Sequence, residues 1–112
     1  MSLANESYNV GIIGVGVMGE ALLAGLIGAG LQNSKISIYE KREERAVEIT
    51  SKYGVNSVGL DELVSNSDVV LLVTKPQDLG ALLDQVGAKF KAGSLLVSFA
   101  AGKKIEIGRA HV

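Results

Sequence analysis

Apolar residues in this chain fall into short runs that alternate with longer, one-sided stretches. Val10-Gly11-Ile12-Ile13 is a short run bounded by glycine, the pattern of a buried strand. From Met18 to Ala29 the chain is apolar nearly all round, through Ala21, Leu22, Leu23, Ala24, Leu26 and Ile27. That pattern predicts a helix buried against a sheet, with Gly28 and Gly30 as its stop signal. Ile36-Ser37-Ile38-Tyr39 alternates and is rich in β-formers, so a second strand is expected there. Glu43 to Tyr53 is an amphipathic helix. Ala46, Ile49 and Tyr53 share a face with Val47 beside them, while Glu43, Glu44, Glu48 and Lys52 lie off it. Gly54 is its expected cap.

The same alternation continues. Val55 to Val58 is a short strand candidate, and Asp61 can cap a helical turn through Leu63 and Val64. Asp68 leads into Val69-Val70-Leu71-Leu72-Val73, which has no polar face, as in strands covered on both sides. Gln77 to Phe90 predicts a helix with an apolar stripe of Leu79, Leu82, Leu83, Val86 and Phe90. Leu95 to Phe99 is another buried strand, followed by Ala100-Ala101-Gly102 and then by Ile105-Glu106-Ile107-Gly108. Strands that alternate with helices imply parallel βαβ units with right-handed crossovers. The fold class is therefore α/β: a Rossmann-like, doubly wound parallel sheet.

Composition narrows the function classes. A length of 112 residues suits one domain, here 1–112, with 1–7 as a disordered or tag-like leader. The net charge of −1 leaves no electrostatic footprint for nucleic acid or an anionic membrane. Cysteine is absent, which rules out disulfides and thiolate metal sites and is compatible with a cytoplasmic setting. The single histidine, His111, cannot build a zinc site or a Ser/His/Asp set, and no catalytic residue is assigned.

The strongest chemical signal is Gly14-Val15-Gly16-Val17-Met18-Gly19. A Gly-x-Gly-x-x-Gly match is weak alone, but here a strand precedes it, a helix opens from it and Glu40 closes the next strand. Each glycine has a physical reason. Gly14 permits the tight turn, Gly16 lets a pyrophosphate approach the backbone, and Gly19 lets the helix pack close to the strand. The helix N-terminus then offers free N–H groups and a partial positive charge. Glu40 could accept hydrogen bonds from ribose hydroxyls, which favours NAD. Lys41 and Arg42 follow it and suit a 2′-phosphate, which favours NADP; the residues alone do not separate the two.

Ligands of open α/β sheets bind beyond the carboxyl ends of the strands. Two more loops leave the sheet at that edge. In Thr74-Lys75-Pro76-Gln77, Pro76 starts a helix where its missing N–H does no harm, and Lys75 could reach a ribose hydroxyl. In Ala100-Ala101-Gly102, small residues would let a flat nicotinamide ring lie against the backbone.

These segments in order resemble the N-terminal domain of pyrroline-5-carboxylate reductase. They are Ile13 to Gly19, Lys52-Tyr53-Gly54-Val55, Asp68 to Gln77, and Val97-Ser98-Phe99-Ala100-Ala101-Gly102. The resemblance implies an NAD(P)-dependent oxidoreductase of proline biosynthesis that reduces 1-pyrroline-5-carboxylate to L-proline. It implies NADP as cofactor, with NAD as the alternative. On that likeness Ile13, Gly14, Val15, Gly16, Val17 and Met18 would hold the pyrophosphate. Val73, Thr74, Lys75 and Pro76 would line the nicotinamide ribose, and Ala100, Ala101 and Gly102 the nicotinamide. The family often has a small polar residue before the base that follows the second strand; this chain has Glu40 before Lys41. The family also continues into a helical domain that dimerises and holds the substrate carboxylate. Nothing in this chain matches that domain, so a fragment is expected: a sheet truncated before any C-terminal helical domain, able to hold dinucleotide but not to turn over substrate alone. The competing readings are the cofactor domain of another NADP-dependent reductase or hydroxyacid dehydrogenase, and a non-catalytic nucleotide-sensing module.

Overall fold

A computed structural model of the chain describes residues 8–73, 80–99 and the backbone of Leu79 and of 103–105. Strand β1 (Val10–Ile13) enters helix α1 (Val17–Gly28), and a single 3-10 turn at Asn33–Lys35 leads to β2 (Ile36–Tyr39). Then follow α2 (Glu43–Tyr53), β3 (Asn56–Ser57), α3 (Leu60–Asn66), β4 (Val69–Leu72), α4 (Leu79–Val86), β5 (Leu95–Ser98) and β6 (Lys103–Ile105). The sheet order is β3-β2-β1-β4-β5-β6. The first five strands run parallel, with Ile12 level with Ile38 on one side and Leu71 on the other.

The chain grows outward from β1 through β2 to β3, then crosses back through α3 to place β4 on the other side of β1. The polarity of growth reverses between β1 and β4, which is where such sheets bind ligands. Side chains alternate across the sheet, so two cores form on opposite faces. Ile12, Leu23, Ile36, Ile38 and Ile49 fill the first, under α1 and α2. Ile13, Leu63, Val64, Val70, Leu72, Val86 and Leu96 fill the second, under α3 and α4. Helix α3 sits close because β1 carries a glycine: a Cβ on Gly11 would lie 2.5 Å from both Leu63 Cδ2 and Ser67 Oγ.

The expected strands β1 and β2 and helix α2 have the predicted bounds. Gly54, at φ 71°, closes α2 in the left-handed region, where a glycine carries no Cβ penalty. Helix α1 ends as its glycines suggested: Gly30 N–H donates to Ile27 O and Leu31 N–H to Leu26 O, the paired bonds of a Schellman motif.

Four expectations need correction. The segment 55–58 contributes only Asn56–Ser57 to the sheet, both exposed, while Val55 turns into the first core. Asp61 is not a cap. Gly59 precedes α3, and Asp61 lies in its first turn, where the helix dipole favours an acid and Lys89 Nζ donates to it at 2.7 Å. Helix α4 ends at Val86 rather than Phe90, because the poor helix former Gly87 tightens the chain into a 3-10 turn over Gly87–Lys89. The sheet is not wholly parallel, since β6 adds to the open edge of β5 in antiparallel sense, pairing Leu96 with Ile105. The leader 1–7, the expected helix start at Gln77 and His111 lie outside the described residues.

Candidate functional site

Three strand ends converge at the reversal point. Gly14 follows β1, Glu40 follows β2 and Val73 follows β4. The ladder continues past the strands, with Gly14 N–H donating to Tyr39 O at 2.9 Å and Val73 N–H to Ile13 O at 2.9 Å. Gly14 then turns at φ 89°, a conformation that L side chains rarely adopt, and carries the chain into α1. Above these ends lies a cleft of about 570 Å³, within the size range of small-molecule sites. Ile13, Gly14, Gly16, Tyr39, Glu40, Lys41, Arg42, Leu60, Val73, Ala81, Leu82 and Gln85 line it.

The cleft collects seven of the residues singled out from the sequence and sorts the rest. Ile13, Gly14, Gly16, Glu40, Lys41, Arg42 and Val73 face it. Val15 does not: its side chain is fully buried in the first core and only its N–H points toward Glu40. Gly19 packs beneath the loop, where an added Cβ would stand 2.4 Å from Gly14 O. Val17 and Met18 are exposed at the head of α1, outside the cleft lining. Thr74, Lys75, Pro76, Ala100, Ala101 and Gly102 lie outside the described residues. Sequence reasoning missed Tyr39, Leu60, Ala81, Leu82 and Gln85, apolar or neutral residues that reach the cleft only through the fold.

Gly16 differs from the other loop glycines. Among the described residues, a Cβ built on it meets nothing within 4 Å, so none of them crowds the backbone there. It immediately precedes the first turn of α1, whose N–H groups have no intrahelical partner. An anion fits this cradle, and a side chain on residue 16 would fill it.

Glu40 is occupied in a way the sequence did not disclose. Its Oε1 accepts from Val15 N–H at 2.9 Å, and its Oε2 accepts from both Arg42 N–H and Arg42 Nε at 3.0 Å. Burial pushes this carboxyl's pKa up, but the bonds from Arg42 and Val15 outweigh that and hold it below the usual carboxylate range. The carboxylate therefore braces the glycine loop and tethers Arg42. Lys41 has no such partner among the described residues and is exposed at the cleft.

Behind the loop, α2 clamps α1. Arg45, Lys52 and Tyr53 all reach Glu20 in the first turn of α1, at 2.8, 2.8 and 2.7 Å. An acid so close to an anion cradle would repel the anion if left alone; here two cations compensate it. Lys52, Tyr53 and Arg45, in that order of effect, hold the Glu20 carboxyl down to about 2. Its pKa in the folded chain is below its ordinary value, so its contribution to stability is complete above about pH 4.5. That contribution is lost as pH falls from there through about 2. Glu20→Gln should thus lower the thermal midpoint at pH 7, and the gap from the parent should close over that acid range. A gap that stays constant down to pH 2 would show that Glu20 does not stabilise through its charge.

Among the described residues no helix is long and apolar enough to cross a membrane. Comparison with known proteins places the chain among oxidoreductases. A family profile described as "NADP oxidoreductase coenzyme F420-dependent" matches residues 9–102. The pyrroline-5-carboxylate reductase of Corynebacterium melassecola is 34% identical over 100 residues, covering 86% of this chain and 37% of its own length. The chain thus spans just over a third of the curated relatives it matches first. The structure of a pyrroline-5-carboxylate reductase from Coxiella burnetii superposes with a TM-score of 0.77. At 23% identity, over 83% of this chain and 35% of that one, it bears on the fold. An imine reductase variant from Myxococcus stipitatus in complex with NAD+ is 26% identical with a TM-score of 0.71, over 87% of this chain and 33% of that one. The resemblance expected from the glycine loop and its companion turns is found, as is the Rossmann-like fold. With 9–102 matched, the chain belongs to the family of NADP oxidoreductases described as coenzyme F420-dependent.

Proposed function

We propose that this chain is the cofactor-holding part of an NADP-dependent reductase that converts 1-pyrroline-5-carboxylate to L-proline. The observation that carries the reading is the open cradle at Gly16, set at the sheet's reversal point beside Lys41 and Arg42. Its support from relatives is the pyrroline-5-carboxylate reductases and the imine reductase, proteins whose names share a C=N substrate. The N–H groups at the head of α1 bind the pyrophosphate. Lys41 and Arg42 bind the adenosine 2′-phosphate, and NAD, which lacks that group, is the weaker ligand. Val73, Thr74, Lys75 and Pro76 line the nicotinamide ribose, and Ala100, Ala101 and Gly102 lie against the nicotinamide. When bound, NADPH would provide the hydride for the imine carbon, with a proton taken up at the imine nitrogen. These residues contribute position rather than proton transfer. A further helical domain recognises the substrate carboxylate and joins the subunits of a homo-oligomer, working in the cytoplasm.

The test is oxidation of NADPH by a full-length protein that joins this chain to the further helical domain, on addition of 1-pyrroline-5-carboxylate, with NADH in parallel. Lys41→Ala should raise KM for NADPH by about fivefold, the worth of one partly exposed ion pair, and leave KM for NADH unchanged. Equal losses for the two cofactors would remove Lys41 from the 2′-phosphate site. Binding of dinucleotide with no turnover of the imine by that full-length protein would favour a nucleotide-sensing module instead.

A further inference from the structure

We infer that Arg45, which lies outside the cleft, is a positioning residue that sets the glycine loop for the pyrophosphate; this rests on the function proposed above. Arg45 Nε donates to Val15 O at 2.8 Å, and Nη2 to Gly16 O at 3.2 Å. The guanidinium is itself held: Nη2 donates to Glu20 Oε1 and Nη1 to Glu48 Oε1, each at 2.8 Å. Its side chain is only 18% exposed. One planar fork thus grips two consecutive peptide units of the loop from behind, a geometry that a lysine ammonium cannot reproduce.

The consequence follows from peptide geometry. A trans peptide places its C=O and N–H on opposite sides, and the described residues contain no cis peptide bond. Fixing Val15 O and Gly16 O toward α2 therefore turns the N–H groups of Gly16 and Val17 away from it. Gly16 lines the cleft, and Val17 begins α1. Those two N–H groups are the donors that the cradle presents to an anion. Gly16 lacks a side chain to restrict its own rotation, so an external grip on its flanking carbonyls has more to fix than at any other residue type. Preorganising donors in this way raises affinity by removing an ordering cost at binding.

The experiment is calorimetric titration of the full chain with three probes: NADPH, ADP-ribose and adenosine 2′-monophosphate. The first two carry the pyrophosphate and the third does not. Arg45→Met removes the grip, and Arg45→Lys keeps the charge while losing the fork. Both should weaken NADPH and ADP-ribose by about tenfold and leave adenosine 2′-monophosphate within about twofold. Thermal unfolding checks that each variant is folded; should the methionine variant fail to fold, the lysine variant decides. Unchanged affinity for all three probes in a folded variant overturns the inference. So does an equal loss across all three, which is what a purely structural role would give. Failure of the parent itself to bind NADPH or NADH marks failure of the proposed function, and this inference falls with it.

Discussion

Gly16→Val should lower dinucleotide affinity by about a hundredfold, or roughly 2.7 kcal/mol, while the fold survives. Among the described residues the substituted Cβ meets no atom within 4 Å beyond its chain neighbours, and φ −83° lies outside the left-handed region that favours glycine. The protein therefore makes room for the side chain; a pyrophosphate on the N–H groups at the head of α1 would not. Valine is a poor residue to precede a helix, so a stability loss of about 1 kcal/mol, some 4–8 °C in the thermal midpoint, is expected. Calorimetric titration with NADPH, beside a melting curve, separates the two effects. A variant that binds as tightly as the parent would mean that the phosphates lie elsewhere.

Gly19→Ala should do the reverse and strike the fold first. Its new Cβ would stand 2.4 Å from Gly14 O, a backbone atom at the tight turn that cannot rotate aside. Helix and strand end must part, which at about 1–3 kcal/mol per overpacked contact lowers the midpoint by on the order of 10 °C. The gain in helix propensity offsets part of this, and a control two turns on measures that gain. Gly25 also lies in α1, and among the described residues a Cβ there meets nothing within 4 Å. Gly25→Ala should therefore raise stability by up to about 1 kcal/mol. Equal stabilisation at positions 19 and 25 would show that the close approach of Gly14 to α1 is not a constraint. Dinucleotide affinity should also fall in Gly19→Ala, because the same movement displaces the loop.

Much of this architecture is local and was therefore legible. Strand β1 is a short apolar run closed by glycine, β2 alternates, and α2 shows both its stripe and its terminal glycine. The glycine loop was readable because each glycine answers a separate steric demand. What escaped depends on the third dimension. Nothing in Lys103-Lys104-Ile105 alternates, and β6 forms because β5 leaves an open edge. Arg45 is one charge among several on the polar face of α2, and its partners Val15 and Gly16 are backbone atoms 30 and 29 residues away. A contact to a carbonyl leaves no mark on the partner's side-chain identity. Glu20 was hidden for a different reason: its three donors are side chains on the next helix, far along the chain. The acid at position 40 was visible, but its engagement was not, because Val15 offers only a backbone N–H.

That engagement has a consequence for anyone redesigning coenzyme preference. Residue 40 stands where an exchange would be tried first, since an acid there disfavours a 2′-phosphate. Yet the same carboxylate bonds Val15 in the phosphate loop and tethers Arg42. On the function proposed above, the determinant of which coenzyme is chosen would thereby be mechanically joined to the determinant of how tightly either is held. A swap to serine or asparagine would free Arg42 and loosen the loop at once, so selectivity and overall affinity would move together. Improving one without eroding the other calls for a compensating change at a second position, a built-in epistasis between the two ends of the site.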